Sequence, residues 1–224
     1  MTSCIPSLAS HPSVIYIFDL GGVLINLNVP RCMKAFEELM GERNMRMILG
    51  MDSRGEGVKA VSVASKQLMA DYESGLISTD DFVAEILHYC RPGTTPQAIV
   101  DAWMSMLEDL PAGRLDFIDS LRAKGHRTYL LSNGNDLHFN FINETYHLAS
   151  HFDDLFLSQC LHLAKPDPQI YEYVHSHILP SCPAPHDSCP SVIFVDDLEL
   201  NRNAAEQSVG WRTFPSIADL SAIM

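Results

Sequence analysis

Positive charge is scarce in this 224-residue chain: 15 Lys and Arg stand against 28 Asp and Glu, a formal net charge of −13. A protein that tracks a phosphate backbone needs the opposite balance, so no nucleic-acid partner is expected. A small anionic substrate is still allowed, because a bound metal or one local cation can set the field of a single site. Apolar runs are short, and none approaches the length that spans a membrane. Met1–Ser13 has neither the basic start nor the apolar stretch of a secretory signal and reads as a loose tail. The six cysteines (Cys4, Cys32, Cys90, Cys160, Cys182 and Cys189) include no Cys-x-x-Cys pair. Cys182 and Cys189 flank a Pro-rich loop where oxidation could join them, but the overall usage suits free thiols in a reducing compartment. The ten histidines offer no pair at a metal-ligand spacing, and His175 and His177 read as surface residues of a helix. No internal repeat is visible. These absences point to a cytoplasmic, non-membrane protein of one core domain with a smaller insertion.

What the chain does have is a sharp boundary at its first apolar run. Ile15-Tyr16-Ile17-Phe18 ends abruptly in Asp19, followed by Leu20 and the pair Gly21-Gly22. A run without polar alternation fits a strand covered on both faces. Asp19 then sits at the C-terminal end of that strand, where open α/β sheets place their ligands. The two glycines allow a tight turn and a close ligand approach.

From Pro30 to about Leu110 the period becomes helical. Cys32, Phe36, Leu39 and Met40 share one face, Val58 to Tyr72 forms another candidate helix, and Ser78 with Asp81 makes a capping box before Phe82. Thr95-Pro96 opens a further helix. The expected division is a core of residues 14–27 and 111–224, with a helical insertion over 28–110 and the tail over 1–13. Beyond Pro111, Leu115, Ile118 and Leu121 mark a helix ended by Gly125, and 127–133 reads as a strand closing on Ser132-Asn133. Leu155-Phe156-Leu157 is a third run, followed by Lys165 and a helix that Asp167 caps and Pro168 starts. Residues 180–190 read as an exposed loop. Residues 191–197 are a strand ending in Asp196-Asp197, before a helix over 199–208, a short strand over 211–214 and a last helix. Alternating strands and helices imply a Rossmann-like α/β core with a parallel sheet whose right-handed crossovers collect the strand ends on one edge.

Four of those ends are polar: Asp19, Ser132-Asn133, Lys165 and Asp196-Asp197. Together they supply carboxylates suited to a hard divalent cation such as Mg²⁺, a hydroxyl and an amide for oxyanions, and a lysine cation. A carboxylate that attacks a phosphate needs positive charge beside it to offset repulsion. Phosphoryl transfer through an aspartyl intermediate is the natural chemistry for this set.

The same stretches, Phe18-Asp19-Leu20-Gly21-Gly22-Val23-Leu24, Leu130-Leu131-Ser132-Asn133, Lys165-Pro166-Asp167-Pro168 and Phe194-Val195-Asp196-Asp197, occur in the order of the four motifs of the haloacid dehalogenase-like hydrolase superfamily, which the chain resembles from Tyr16 to Phe214. The helical insertion resembles that superfamily's α-helical cap. Through Tyr72-Glu73-Ser74-Gly75-Leu76-Ile77-Ser78 it is most similar to the bacterial α-D-glucose-1-phosphate phosphatase-like branch. The resemblance implies Asp19 as nucleophile and metal ligand, with the Gly21 carbonyl as a second ligand. It implies phosphate binding by Gly21, Gly22, Ser132 and Asn133, and charge neutralisation by Lys165. Asp196 and Asp197 would bind or orient Mg²⁺, with Asn201 supporting their loop. The substrate would be a small phosphorylated metabolite such as a sugar phosphate, and the chain a monomer or homodimer.

One position departs from the pattern. Phosphatases of the superfamily usually carry an acid–base Asp two residues after the nucleophile, and here that residue is Gly21. Metal-independent 2-haloacid dehalogenases also lack it, so dehalogenation is an alternative, as is a degenerate relative that binds a phosphorylated ligand without turnover. The Asp196-Asp197 pair favours the phosphatase. Without an Asp at position 21, leaving groups that depart with little protonation are expected to be preferred, unless a group from the helical insertion supplies the proton. The insertion is expected to move over the Asp19 edge, hinged near Asn26–Pro30 and Leu110–Gly113.

Overall fold

The computed structural model describes residues 14–50, 63–179 and 190–224. The tail over 1–13, the first residues of the 58–72 helix, the loop over 180–189, and Cys4, Cys182 and Cys189 lie outside the described residues. Strand β1 (Ile15–Phe18) is buried along its whole length because its residues alternate between two separate cores. Tyr16 and Phe18 enter one, Ile15 and Ile17 the other. That double burial is why the run shows no polar alternation.

Strands β2 (Arg127–Ser132), β3 (Asp154–Leu157), β4 (Val192–Val195) and β5 (Arg212–Phe214) complete a five-stranded sheet of order β3-β2-β1-β4-β5. Every pairing is parallel. One face is covered by α6 (Arg114–Ala123) and α7 (Asp136–Tyr146), which bring in Ile118, Leu121 and Ile142, and by α11 (Ile217–Ser221) with Leu220. The other is covered by α9 (Pro168–Ile178) and α10 (Glu199–Val209), through Ile170, Tyr171, Val174, Ala205 and Val209. This is the Rossmann-like α/β core. A short helix, α8 (Ser158–Leu161), follows β3 directly.

The expected helix starts are present. Ser78 and Asp81 form a reciprocal capping box, Thr95 caps a helix with Pro96 in its first turn, and Asp167 accepts from the Gln169 N–H ahead of α9. His175 is a correction. It is buried rather than superficial, stacks on Trp211, and its Nδ1 accepts from the Trp211 indole at 3.1 Å. Spacing alone missed this because α9 is covered on a wider arc than one apolar stripe. His177 is half-exposed and pairs with Asp154. Of the described cysteines, Cys32 is buried, Cys90 half-buried and Cys160 exposed, all as free thiols. No helix among the described residues is long and apolar enough to cross a membrane.

Between β1 and α6 lie α1 (Val29–Met40), α2 (Glu42–Leu49), α3 (Val63–Glu73), α4 (Thr79–Leu87) and α5 (Pro96–Met104). They close around a core of their own, centred on Phe36, Tyr72, Phe82 and Trp103. Tyr72 and Phe82 stack with centroids 4.1 Å apart, and Trp103 packs against both. The insertion meets the core at several points. Its entry and exit run as a paired ribbon, with Asn26 and Asp109, Glu108 and Asn26, and Asn28 and Met106 joined by backbone hydrogen bonds. Trp103 stacks flat on His138 of α7, whose Nε2 donates to the Trp103 carbonyl at 3.1 Å. The turn after α3 presses on α8: the Ser158 hydroxyl donates to the Glu73 carbonyl at 2.5 Å, and His162 Nδ1 donates to the Ser74 carbonyl at 2.8 Å.

Gly75 makes that last contact possible. Its φ is +65°, and a Cβ there would stand 2.1 Å from the Gln159 carbonyl oxygen. Gly93 has φ +90° with nothing within 4 Å of a Cβ, so it isolates the conformational part of the cost. Gly93→Ala should cost about 1–2 kcal/mol for the left-handed backbone. Gly75→Ala should cost a further ~1–3 kcal/mol for the displaced contact. Urea unfolding of the two variants checks this, and equal losses would contradict the close approach.

Candidate active site

The sheet register sets the site. Phe18 pairs with Leu130 on one side and Val195 on the other, so Asp19, Leu131 and Asp196 follow at one level on three adjacent strands. Lys165 reaches that level from the β3–α9 connection. Its Nζ lies 2.8 Å from Asp19 Oδ1, 2.6 Å from Asp196 Oδ2 and 3.0 Å from the Leu131 carbonyl. Those contacts use all three ammonium donors.

Lys165 is in turn braced through its backbone. The Asn133 carboxamide accepts from the Lys165 N–H at 2.9 Å and donates to the Lys165 carbonyl at 2.7 Å. The Asn133 side chain is thus committed to placing the lysine. Ser132 is buried at the end of β2, with its hydroxyl 3.3 Å from the Asn133 carbonyl.

Asp196 is fully buried and saturated. Its Oδ1 accepts from the Leu198 N–H and Asn201 Nδ2, and its Oδ2 accepts from Lys165 and Asn201 Nδ2. Asn201 therefore supports this loop as expected. Arg202 was not foreseen: its Nη1 donates to the Asp196 and Asp197 carbonyls at 2.7 and 2.8 Å. Asp197 is exposed and rests against Gly22, where a Cβ would stand 2.5 Å from Oδ2. Gly22, with φ +75°, thereby leaves room for a carboxylate as well as turning the chain.

Charge is tightly balanced here. Burial pushes the Asp19 carboxyl up, Lys165 opposes that, and Asp196 adds to it. Burial pulls the Lys165 ammonium down, but Asp19 and Asp196 beside it more than offset this and the net direction is up. Asp197 is raised by burial and by Asp196. Asp19, Asp196 and Asp197 can each bring one carboxylate oxygen within 4.8 Å of the others, an all-oxygen donor set suited to a hard divalent cation.

Beside this cluster lies a cavity of about 200 Å³ between the sheet edge and the helical insertion. Gly21, Ser132, Asn133 and Gly134 form its floor. Its walls are mostly apolar, with Met33, Met69 and Met106 from the insertion and Phe139 and Leu157 from the core. A Cβ on Gly21 would meet Leu27 Cδ1 at 2.8 Å, so the Leu27 side chain fills the space beside residue 21. Glu73, Trp103, His138 and Gln159 also line the cavity, and spacing along the chain did not single them out as site residues. The one signal was Glu73 itself, a carboxylate ahead of Ser74-Gly75 in an otherwise plain helical turn.

A family-wide sequence model, that of the haloacid dehalogenase-like hydrolases, matches residues 15–178. The chain is a haloacid dehalogenase-like hydrolase. This hydrolase is 27% identical over 206 residues to D-ribitol-5-phosphate phosphatase of Bacteroides thetaiotaomicron, covering 88% of this chain and 89% of that one. Its structure is similar to that of a haloacid dehalogenase family enzyme of the same organism in complex with magnesium and inorganic phosphate. The TM-score is 0.72 at 26% identity, covering 91% of this chain and 93% of the other. A haloacid dehalogenase-like hydrolase of Porphyromonas gingivalis matches with TM-score 0.73 at 27% identity, covering 95% and 98%.

Removing the lysine of this hydrolase strands two carboxylates in a buried site. Lys165→Met should destabilise the fold by about 3–5 kcal/mol. Adding Asp196→Asn to that variant should recover part of the loss, because one of the stranded charges is gone. Denaturant midpoints of the single and double variants measure this, and additive losses would contradict a shared counter-ion.

Proposed function

We propose that this hydrolase is a Mg²⁺-dependent phosphatase acting on a small phosphorylated metabolite through a phospho-aspartate at Asp19. The observation that carries the reading is the Lys165 ammonium held between Asp19 and Asp196 at 2.8 and 2.6 Å. It keeps a buried carboxylate charged at a strand end while offsetting the repulsion a phosphate would meet.

In this reading Asp19 and Asp197 offer metal-facing oxygens and the Gly21 carbonyl a third. Asp196, with both oxygens already bonded, anchors Lys165 and backs the metal site. Mg²⁺ would supply charge stabilisation to the phosphoryl oxygens. The Ser132 hydroxyl and the backbone of Gly21 and Gly22 receive the phosphate, and Asn133 acts by fixing Lys165. One Asp19 oxygen attacks phosphorus, the bond to the leaving oxygen breaks, and water later cleaves the acyl phosphate. Hinges near Asn26–Pro30 and Leu110–Gly113 would let the insertion admit substrate and then exclude water. The domain limits proposed are 14–27 with 111–224 for the core and 28–110 for the cap. A cytoplasmic monomer or homodimer fits the same proposal.

A carbohydrate-derived phosphate is the substrate class favoured, on the relationship to the ribitol-phosphate enzyme. The cavity restricts it to a compact leaving group with an apolar face, because the available polar wall groups are few. Trp103 Nε1 and Gln159 Oε1 are buried there with no hydrogen-bond partner among the described residues. A dehalogenase would leave the exposed Asp197 carboxylate without use. A binder without turnover would gain nothing from a buried carboxylate aimed at an anion.

A panel of phosphate esters, assayed with Mg²⁺ and with EDTA, tests the reading. Hydrolysis should require Mg²⁺, stop in EDTA and return on re-addition. Asp19→Asn should fold and be inactive, since an amide is nearly isosteric but a poor nucleophile. Chloride release from 2-chloropropionate that ignores EDTA would overturn the proposal in favour of dehalogenation.

A further inference from the structure

Expelling an alkoxide from an alkyl phosphate is slow unless a proton arrives as the P–O bond breaks, help worth about 100- to 10,000-fold in rate. No group at the Asp19 cluster is free to give one, since the reading above assigns Asp197 to the metal and Ser132 to the phosphate. The Lys165 donors are all spent, Asp196 is saturated, and residue 21 has no side chain. Among the residues lining the adjoining cavity, two titrate: His138 and Glu73. His138 is committed, with Nε2 donating to the Trp103 carbonyl and Nδ1 facing Asn135 Nδ2 at 3.4 Å. Burial pulls its imidazole down to about 4, so it stays neutral near pH 7.

Glu73 is different. Glu73 lines the same cavity as Gly21, Ser132 and Asn133, and its backbone is fastened to the loop after Asn133. The Ser158 hydroxyl donates to the Glu73 carbonyl at 2.5 Å and accepts from the Gly134 N–H at 3.1 Å. One side chain thus ties the end of α3 to the residue after Asn133. The Gly75–Gln159 contact and the His162–Ser74 bond hold the following residues of the same turn against the core.

We propose that Glu73, from the helical insertion, is the general acid and then the general base of this hydrolase, replacing the side chain that residue 21 lacks. The inference rests on the phosphatase reading above. In the first step Asp19 attacks phosphorus, the P–O bond to the leaving group breaks, and the leaving oxygen takes its electron pair and the Glu73 proton. The alcohol departs and Glu73 is left as a carboxylate. In the second step that carboxylate takes a proton from water as its oxygen attacks phosphorus. The bond to Asp19 breaks, phosphate leaves, and Glu73 is protonated again. Burial pushes the Glu73 carboxyl up to about 7, a value at which it can both give and take a proton near neutrality. The role also makes closure a condition of catalysis, because the proton donor travels with the insertion.

The test is the dependence of kcat/KM on leaving-group pKa for Glu73→Gln and the parent protein, both with Mg²⁺, using p-nitrophenyl phosphate and simple alkyl phosphates. The parent should show a shallow dependence. Glu73→Gln should lose about 100- to 10,000-fold on alkyl phosphates and far less on the nitrophenyl ester, so its dependence steepens. Glu73→Asp, which keeps a carboxyl, should recover part of the alkyl activity. A uniform loss on both substrate types, or no loss on either, would overturn the assignment while leaving the phosphatase reading intact. A parent protein inactive on every ester would instead overturn the phosphatase reading and this inference with it.

Discussion

A single ammonium group ties the sheet to its chemistry. Lys165 Nζ touches an acceptor from each of three adjacent strands: the Asp19 carboxylate beyond β1, the Leu131 carbonyl of β2 and the Asp196 carboxylate beyond β4. Two buried carboxylates side by side would repel each other and resist ionising, so neither is tolerable without that cation. The lysine is in turn braced by Asn133, which grips its backbone from both sides. Register, buried charge and the placement of Asp19 are therefore one constraint. Anything that slips β1 against β2 or β4 by one residue would separate the carboxylates and turn their side chains to the other face.

The helical insertion is built on a different principle. Its own core is aromatic and apolar, and its attachment to the sheet domain is a handful of polar and stacking contacts. Such a seam seats the insertion, and the proposed function asks that it also open to admit substrate. The cavity lies along the same seam, with Glu73, Trp103 and three methionines facing Gly21, Ser132, Asn133 and Gly134 across it.

Much of this was legible in the chain. The doubly buried strands carry no polar alternation, and each motif sits where such a strand stops, which makes Asp19, Ser132 and Asp196-Asp197 visible as breaks in apolar runs. Helix starts at Ser78, Thr95 and Asp167 were legible because capping is local. Interactions between distant segments were not. The grip of Asn133 on the Lys165 backbone, Arg202 holding the Asp196-Asp197 carbonyls, and His175 buried on Trp211 all depend on three-dimensional neighbours with no signature in spacing. Glu73 stood in plain view within Tyr72-Glu73-Ser74-Gly75. The Ser158 bridge to Gly134 and the contact of Gly75 with Gln159 are what show that its turn lies against the loop after Asn133.

The central claim is that Asp19 carries the phosphoryl group between the two chemical steps. It is tested most directly by acid-quenching the enzyme with Mg²⁺ and a reactive aryl phosphate during turnover, then mapping its peptides by mass. The account predicts one phosphoryl group on the peptide containing Asp19, appearing as fast as the first phenol is released and vanishing when substrate is exhausted. Phenol and phosphate released together at the full turnover rate, with that peptide unmodified at every quench time, would contradict it.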